Sequence, residues 1–131
     1  MFRCCKNDEL EEYTYENTEP FYPDIKSGKV VKVYDGDTIH VAALYKKQVY
    51  RFMIRMYGYD APEVKGVSKN DGLRAKEVLE KRILNKTVSV HVHQIKEKYG
   101  RLLATITDND GEINQWMIRE GYGVPYFGGT K

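Results

Sequence analysis

The sequence predicts an α+β domain, mainly β: a five-stranded barrel of OB type carrying two helices. Three observations predict it. Five segments are rich in β-branched and aromatic residues and are separated by Asp, Gly, Asn and Lys turns. Between the third and fourth the apolar spacing changes to threes and fours, the mark of an amphipathic helix. A second, shorter helical pattern follows the fifth strand, completing the order expected of such a barrel. With 131 residues, 41% of them apolar and 31% charged, the chain has the size and composition of one soluble domain with one core.

Residues 1 to about 26 hold few aliphatic side chains and no usable period, so they read as an acidic, tyrosine-containing tail lying against the domain or left disordered. The domain proper is then 27–131. Strands are expected at Lys29–Tyr34, Thr38–Leu44 and Val49–Tyr57, with Tyr45-Lys46-Lys47-Gln48 as the loop of the second hairpin. Lys65–Asn70 is polar and reads as an exposed loop. From Asp71 to Asn85, Leu73, Val78, Leu79, Arg82 and Ile83 define the first helix, with Asn70 or Asp71 as cap and Asn85 as stop. Thr87–Ile95 and Arg101–Thr107 read as the last two strands. The turn Asn109-Asp110-Gly111 leads into the second helix, marked by Ile113, Trp116 and Met117 and closed by Gly121.

Charge is unevenly spread. Residues 1–26 carry three basic and seven acidic side chains, a net of −4, which leaves +6 on the remainder of a chain whose total is +2. A basic body suits a polyanionic partner, because phosphate neutralisation supplies most sequence-independent affinity for nucleic acid. No apolar run approaches the roughly 20 residues of a membrane span. The first residues lack the apolar core and cleavage site of a secretory signal, so an intracellular, cytoplasmic location is expected. The adjacent Cys4 and Cys5 form no disulfide framework. Beside Arg3 and Lys6 they have the chemistry of an acylation site that would anchor the chain at a membrane, but two ordinary tail thiols are the expected reading.

Three short stretches carry the chemistry: Asp35-Gly36-Asp37-Thr38, then Arg55-Met56-Tyr57-Gly58-Tyr59-Asp60-Ala61-Pro62-Glu63, then Lys98-Tyr99-Gly100-Arg101. Carboxylates collect a hard, oxygen-seeking cation such as Ca²⁺. Arginine's fork of donors clamps phosphate oxygens. A carboxylate left over can orient or deprotonate a water. Asp35 and Asp37 flank a glycine at the first turn, so both can converge on one mouth of the barrel; as an isolated Asp-Gly-Asp they would be turn formers. Arg55 lies in a strongly apolar strand, where a charge needs a partner or a cleft. His91 and His93 share one strand face, a spacing that can grip a metal, yet with no third ligand nearby they read as solvent-facing residues.

In order and wording these stretches resemble the staphylococcal nuclease-like (thermonuclease) family, over roughly Gly28 to Phe127. The resemblance implies the same OB barrel and a Ca²⁺-dependent endonuclease acting on DNA and RNA, with single strands favoured and 3′-phosphate ends left. It implies that Asp37 and Asp60 bind the metal, joined by the backbone carbonyl of residue 61, with Asp35 as a weaker contributor. The family often has Thr at that place; Ala61 keeps the carbonyl. Arg55 and Arg101 would flank the scissile phosphate and Glu63 would contact the attacking water. Lys98 and Tyr99 would lie against the nucleotide, and Tyr126, in an altered stretch, would fall near the family's base-stacking tyrosines. The family usually continues into a third, C-terminal helix, which has no counterpart before Lys131. The tail rings Tyr13, Tyr15, Phe21 and Tyr22 are expected to cover the surface it would protect. A monomer is expected rather than a dimer. The competing reading is a catalytically silent OB module binding nucleic acid or protein; it is disfavoured because Asp37, Asp60, Glu63, Arg55 and Arg101 are all present.

Overall fold

A computed structural model describes residues 9–62 and 69–127. Strands β1 (Ser27–Asp35), β2 (Thr38–Tyr45) and β3 (Gln48–Met56) form an antiparallel meander. A two-residue strand β4 (Tyr59–Asp60) precedes helix α1 (Lys69–Ile83), after which come β5 (Thr87–His93) and β6 (Leu102–Asp108). The chain then runs through β7 (Gly111–Glu112), α2 (Ile113–Arg119) and β8 (Val124–Pro125). The main sheet has the order β3-β2-β1-β5-β6-β7. Parallel pairing of β3 with β6, from Ile54↔Leu102 to Met56↔Ala104, closes five strands into a barrel. Among the described residues this is the mainly β, five-stranded barrel with two helices that the sequence predicts.

The interior follows from alternation. Val30, Val33, Ile39, Val41, Ile54, Val88, Val90, Ala104 and Ile106 fill the barrel, and their strand neighbours point outward. Helix α1 packs against β1 and buries Ala75, Leu79 and Ile83, spaced by four. Leu73, expected on that face, is instead exposed. Asn85 adopts φ 66, the left-handed conformation that ends helices, as its place in the sequence suggests. The second hairpin turns on two residues, Lys46 (φ 49) and Lys47 (φ 72). Positive φ at both positions is the type I′ pattern whose twist matches the flanking strands.

Several boundaries differ from expectation. β3 stops at Met56 because Gly58, at φ 95, turns the chain. β6 starts at Leu102, so Arg101 lies just before the strand rather than opening it. The pairs β4–β8 and β6–β7 are two residues long and leave no periodic signal. β1 departs from ideal pairing twice, between Val30 and Lys32 and between Val33 and Asp35, so Val31 and Tyr34 are added to its outer face.

The tail rings do not do what the sequence suggests. Tyr13, Tyr15 and Phe21 are exposed; Phe21 meets Tyr45 edge-on at 5.7 Å, and the Tyr15 ring lies under Lys96 Nζ at 4.5 Å. Tyr22 is half-buried, Pro23 and Ile25 are the buried ones among the described tail residues, and the Lys26 carbonyl accepts from Val90 N–H. A boundary at 26 therefore falls one residue after a side chain of the core. Deleting residues 1–20 is expected to leave the melting temperature nearly unchanged, whereas deleting 1–26 removes Ile25 and should cost about 2 kcal/mol. Thermal melts of the two truncations check this; equal losses would mean the outer tail also stabilises the barrel.

Candidate active site

The site forms where the β1–β2 turn, the end of β3 and the segment before β6 meet. Gly36 is required there by space. A Cβ on it would lie 2.7 Å from the Ala61 Cβ and 2.8 Å from the Ala75 Cβ, distances real side chains do not adopt. The turn is thus pressed against both the segment after β4 and helix α1. Tyr59, fully buried, donates from its hydroxyl to the Gly36 carbonyl at 2.7 Å, and burial pushes its pKa well above the ordinary tyrosine value. Met56 N–H donates to the Asp37 carbonyl at 2.8 Å.

The carboxylates converge on these braces. Asp37 is buried; its Oδ2 accepts from Ala61 N–H at 2.8 Å and its Oδ1 from the Thr38 hydroxyl at 3.1 Å. Asp35 Oδ1 accepts from Asp37 N–H at 3.0 Å, which brings the two acids side by side. Burial first, and the charge of Asp35 next, push the Asp37 carboxyl up to about 7, against the downward pull of Arg55 and the Ala61 N–H.

Arg55 is the hub. Its Nη1 donates to the carbonyls of Tyr59 (2.7 Å) and Met56 (3.1 Å) and stands 3.5 Å from Asp37 Oδ2, while Nη2 donates to Asp60 Oδ1 at 3.0 Å. The charge in the apolar strand thus has two carboxylates as partners. Arg101 approaches from the other side, its Nη1 donating to Thr38 Oγ1 at 3.3 Å. Thr38 lies opposite Arg55 across β2 and β3, so the two arginines flank one threonine.

Sequence reasoning missed Glu97. Its Oε1 accepts from the N–H groups of Tyr99 (3.0 Å) and Arg101 (2.9 Å), and its Oε2 from Arg101 Nη2 at 2.6 Å. Burial opposes its charge, but the Arg101 guanidinium and these two N–H groups outweigh it and hold the carboxyl below the usual range. The only signal was its place four residues before Arg101. Arg101 Nε is buried and finds no hydrogen-bond partner among the described residues.

The remaining expected residues are less closely gathered. Lys98 and Tyr99 are exposed on the segment before β6, with Lys98 Nζ 5.2 Å from the Tyr99 ring centroid and the Arg101 guanidinium 5.2 Å from the same ring. Tyr126 is half-buried and donates its N–H to the Gly58 carbonyl at 3.0 Å, beside the β4–β8 pair. His91 is exposed, but His93 is partly buried, bonded to Thr105 Oγ1 at 2.7 Å and stacked on Tyr57 at 4.2 Å, so only His91 faces solvent as expected. Glu63, Cys4 and Cys5 lie outside the described residues.

Among the described residues no three His, Cys, Asp or Glu side chains form a ready metal cluster. The donors of Asp37, Asp60, Asp35 and the Ala61 carbonyl are nevertheless all oxygen. Burial and the neighbouring acid disfavour the charged form of Asp37, and a cation held beside it would favour that form. That chemistry fits a hard divalent cation whose shell is completed by water.

A sequence model described as "Staphylococcal nuclease homologue" matches residues 53–130. Two proteins named as uncharacterized endonucleases, from Escherichia coli and Escherichia coli O157:H7, are each 37% identical over 95 residues, 72% of this chain and 57% of theirs. An uncharacterized protein of Bacillus anthracis is 35% identical over 74% of this chain and 46% of its own length. The chain thus spans about half the length of these relatives.

Proposed function

This chain belongs to the staphylococcal nuclease homologue family, and from that premise we propose that it is a Ca²⁺-dependent endonuclease hydrolysing phosphodiester bonds of DNA and RNA. The observation that carries the reading is Arg55, whose guanidinium reaches both Asp37 and Asp60 while Arg101 reaches the intervening Thr38. Two cations with two carboxylates at one barrel mouth are what a phosphate diester and a hard metal together require.

In this reading Asp37, Asp60 and the Ala61 carbonyl hold Ca²⁺, with Asp35 assisting. Bound Ca²⁺ supplies positive charge to the phosphate and to the attacking water. Arg55 and Arg101 grip non-bridging oxygens and neutralise the charge that builds on five-coordinate phosphorus. Glu97 keeps Arg101 in its place by fixing both its backbone and its guanidinium. Glu63 orients or deprotonates the water. A bond forms from the water oxygen to phosphorus as that water gives a proton to Glu63 or to solvent, the bond to the 5′ oxygen breaks, and the departing oxygen takes a proton from solvent, giving a 3′-phosphate end. Lys98 and Tyr99 bear on the nucleotide beside the scissile bond, as Tyr126 does less directly. Single strands are favoured, because their unpaired bases are free to stack on exposed rings such as Tyr99.

Digestion of circular single-stranded DNA with Ca²⁺, and again with excess chelator, tests the reading. Cleavage is expected with Ca²⁺ and to be weaker with Mg²⁺, which insists on a tighter octahedral geometry. Full activity in chelator would overturn the metal-dependent mechanism. Binding without cleavage under every metal condition would favour a silent OB module.

A further inference from the structure

The outer face of β1, β2 and β3 leads into the site described, yet most of it has no role there. Residues directly opposite in neighbouring strands share a face, so the register sorts this surface into rows. Leu44 and Val49 form the outermost row. Lys29, Ala42 and Arg51 form the next, and Lys32, His40 and Met53 the one after. The last row is Asp35, Thr38 and Arg55, which belongs to the candidate active site. Two residues along a strand advance about 6.8 Å, the scale of one extended nucleotide.

The face is one-signed until it reaches that last row. From Thr38 to Met56 the sequence contains no Asp or Glu, and Ser27–Tyr34 contains none either. Lys29, Lys32 and Arg51 are exposed, and none enters an ion pair among the described residues. The register sets His40 between Lys32 and Met53 with Arg51 one row away, and burial and then the charges of Arg51 and Lys32 hold its imidazole below the ordinary pKa. Apolar surface is interleaved with them: Met53 is 45% exposed, Tyr34 49% and Val31 38%, the last two turned out by the irregularities of β1.

We propose that this face is a second nucleic-acid contact, a track on which single-stranded polynucleotide lies with its phosphates against Lys29, Arg51 and Lys32 and its bases over Met53 and Tyr34, leading to the Thr38–Arg55 row. The ligand class follows from charge and continuity. An unpaired cationic surface ending at a candidate phosphodiester site calls for the same polyanion along its whole length. Isolated cations interleaved with apolar side chains also suit the alternation of phosphate and base in a single strand. The inference rests on the nuclease reading for the identity of the ligand, but its test does not depend on cleavage.

The test is fluorescence anisotropy of a labelled oligothymidylate, titrated with the full chain in excess chelator over a range of salt. The variant Lys29→Gln/Lys32→Gln/Arg51→Gln is compared with a charge-matched control on the helical side, Arg74→Gln/Lys81→Gln/Lys86→Gln. Each neutralised phosphate of a single strand contributes about 0.7 to the slope of log K against log salt, so the face variant should lose roughly 2 from that slope. A fourfold rise in salt should then cost the unmodified chain roughly 20-fold more affinity than the face variant, with the control behaving like the unmodified chain. An unchanged slope in a folded face variant, or an equal loss in the control, would overturn the proposal. So would loss of binding to phosphatidylserine vesicles with the oligothymidylate isotherm unchanged, which would make the face a membrane contact. Should the triple variant not fold, Arg51→Gln alone decides, with an expected slope change of about 0.7. If binding behaves as expected but Ca²⁺ brings no cleavage, the nuclease reading fails and the track stands.

Discussion

Arg55→Lys is expected to lower phosphodiester hydrolysis by roughly 10²–10³-fold, nearly as far as Arg55→Ala. The reason is geometric. One guanidinium spans the Tyr59 and Met56 carbonyls through Nη1 and Asp60 through Nη2, and it stands 3.5 Å from Asp37. Lysine carries a single ammonium on a flexible stem and cannot bridge carboxylates on two segments at once. Initial rates on single-stranded DNA at saturating Ca²⁺, measured beside melting temperatures, separate the alternatives. Near-normal turnover with lysine would show that hydrolysis does not need a forked guanidinium at this position. A large loss of turnover with little change in melting temperature would place it at the phosphate.

The largest structural effect is expected at Asn114, which is almost fully buried on α2. Its Oδ1 accepts from Ile106 N–H at 2.9 Å, and its Nδ2 donates to the carbonyls of Tyr57 (2.7 Å) and Ala104 (3.1 Å). One amide thereby joins α2, β6 and the turn leading to Asp60. Asn114→Ala removes the partner of Ile106 N–H and of the Tyr57 carbonyl, while the Ala104 carbonyl keeps Tyr57 N–H. At about 1–3 kcal/mol each when water cannot replace the lost partner, a loss of about 4 kcal/mol is reasonable, a large share of the ~5–15 kcal/mol typical of a domain. Asn114→Asp should fare no better, because a carboxylate can accept from Ile106 but faces two carbonyl oxygens with nothing to donate. Urea denaturation measures both. A loss below about 1 kcal/mol in the alanine variant would mean that water replaces the amide.

What was legible in the sequence follows from the range of each signal. Periodic, β-branched stretches fixed the five principal strands because burial repeats every second residue along them. The helix between them was found although one of its marker residues, Leu73, is exposed, since Leu79 and Ile83 carry enough of the pattern. The β4–β8 pair was invisible because two residues cannot show a period. The site residues Asp35, Asp37, Arg55, Asp60 and Arg101 stood out through their motifs, and the structure brings them together.

Other features depend on contacts between distant segments, which spacing does not encode. Gly36 was read as a turn former, but its smallness serves the approach of Ala61 and Ala75, from segments far along the chain. Glu97 escapes sequence reasoning because its three donors become its partners only once that segment curls around it. Tyr13, Tyr15 and Phe21 stay exposed for a related reason. Aromatic content suggested burial, yet Pro23 and Ile25, which directly precede β1, enter the core, while the rings farther out meet only the rim.

The parallel seam between β3 and β6 has a kinetic consequence. β1, β2 and β3 are joined by short turns and can assemble locally, whereas Ile54 and Leu102 are separated along the chain by helix α1 and β5. Loop closure of that length costs entropy before any contact repays it, so the seam belongs among the late events of folding. Arg55 lies on one lip of the seam and Arg101 just before the other. A nascent or partly folded chain can therefore carry every residue of the site and still lack the site. Destructive chemistry, if this chain performs it, begins only when the barrel shuts.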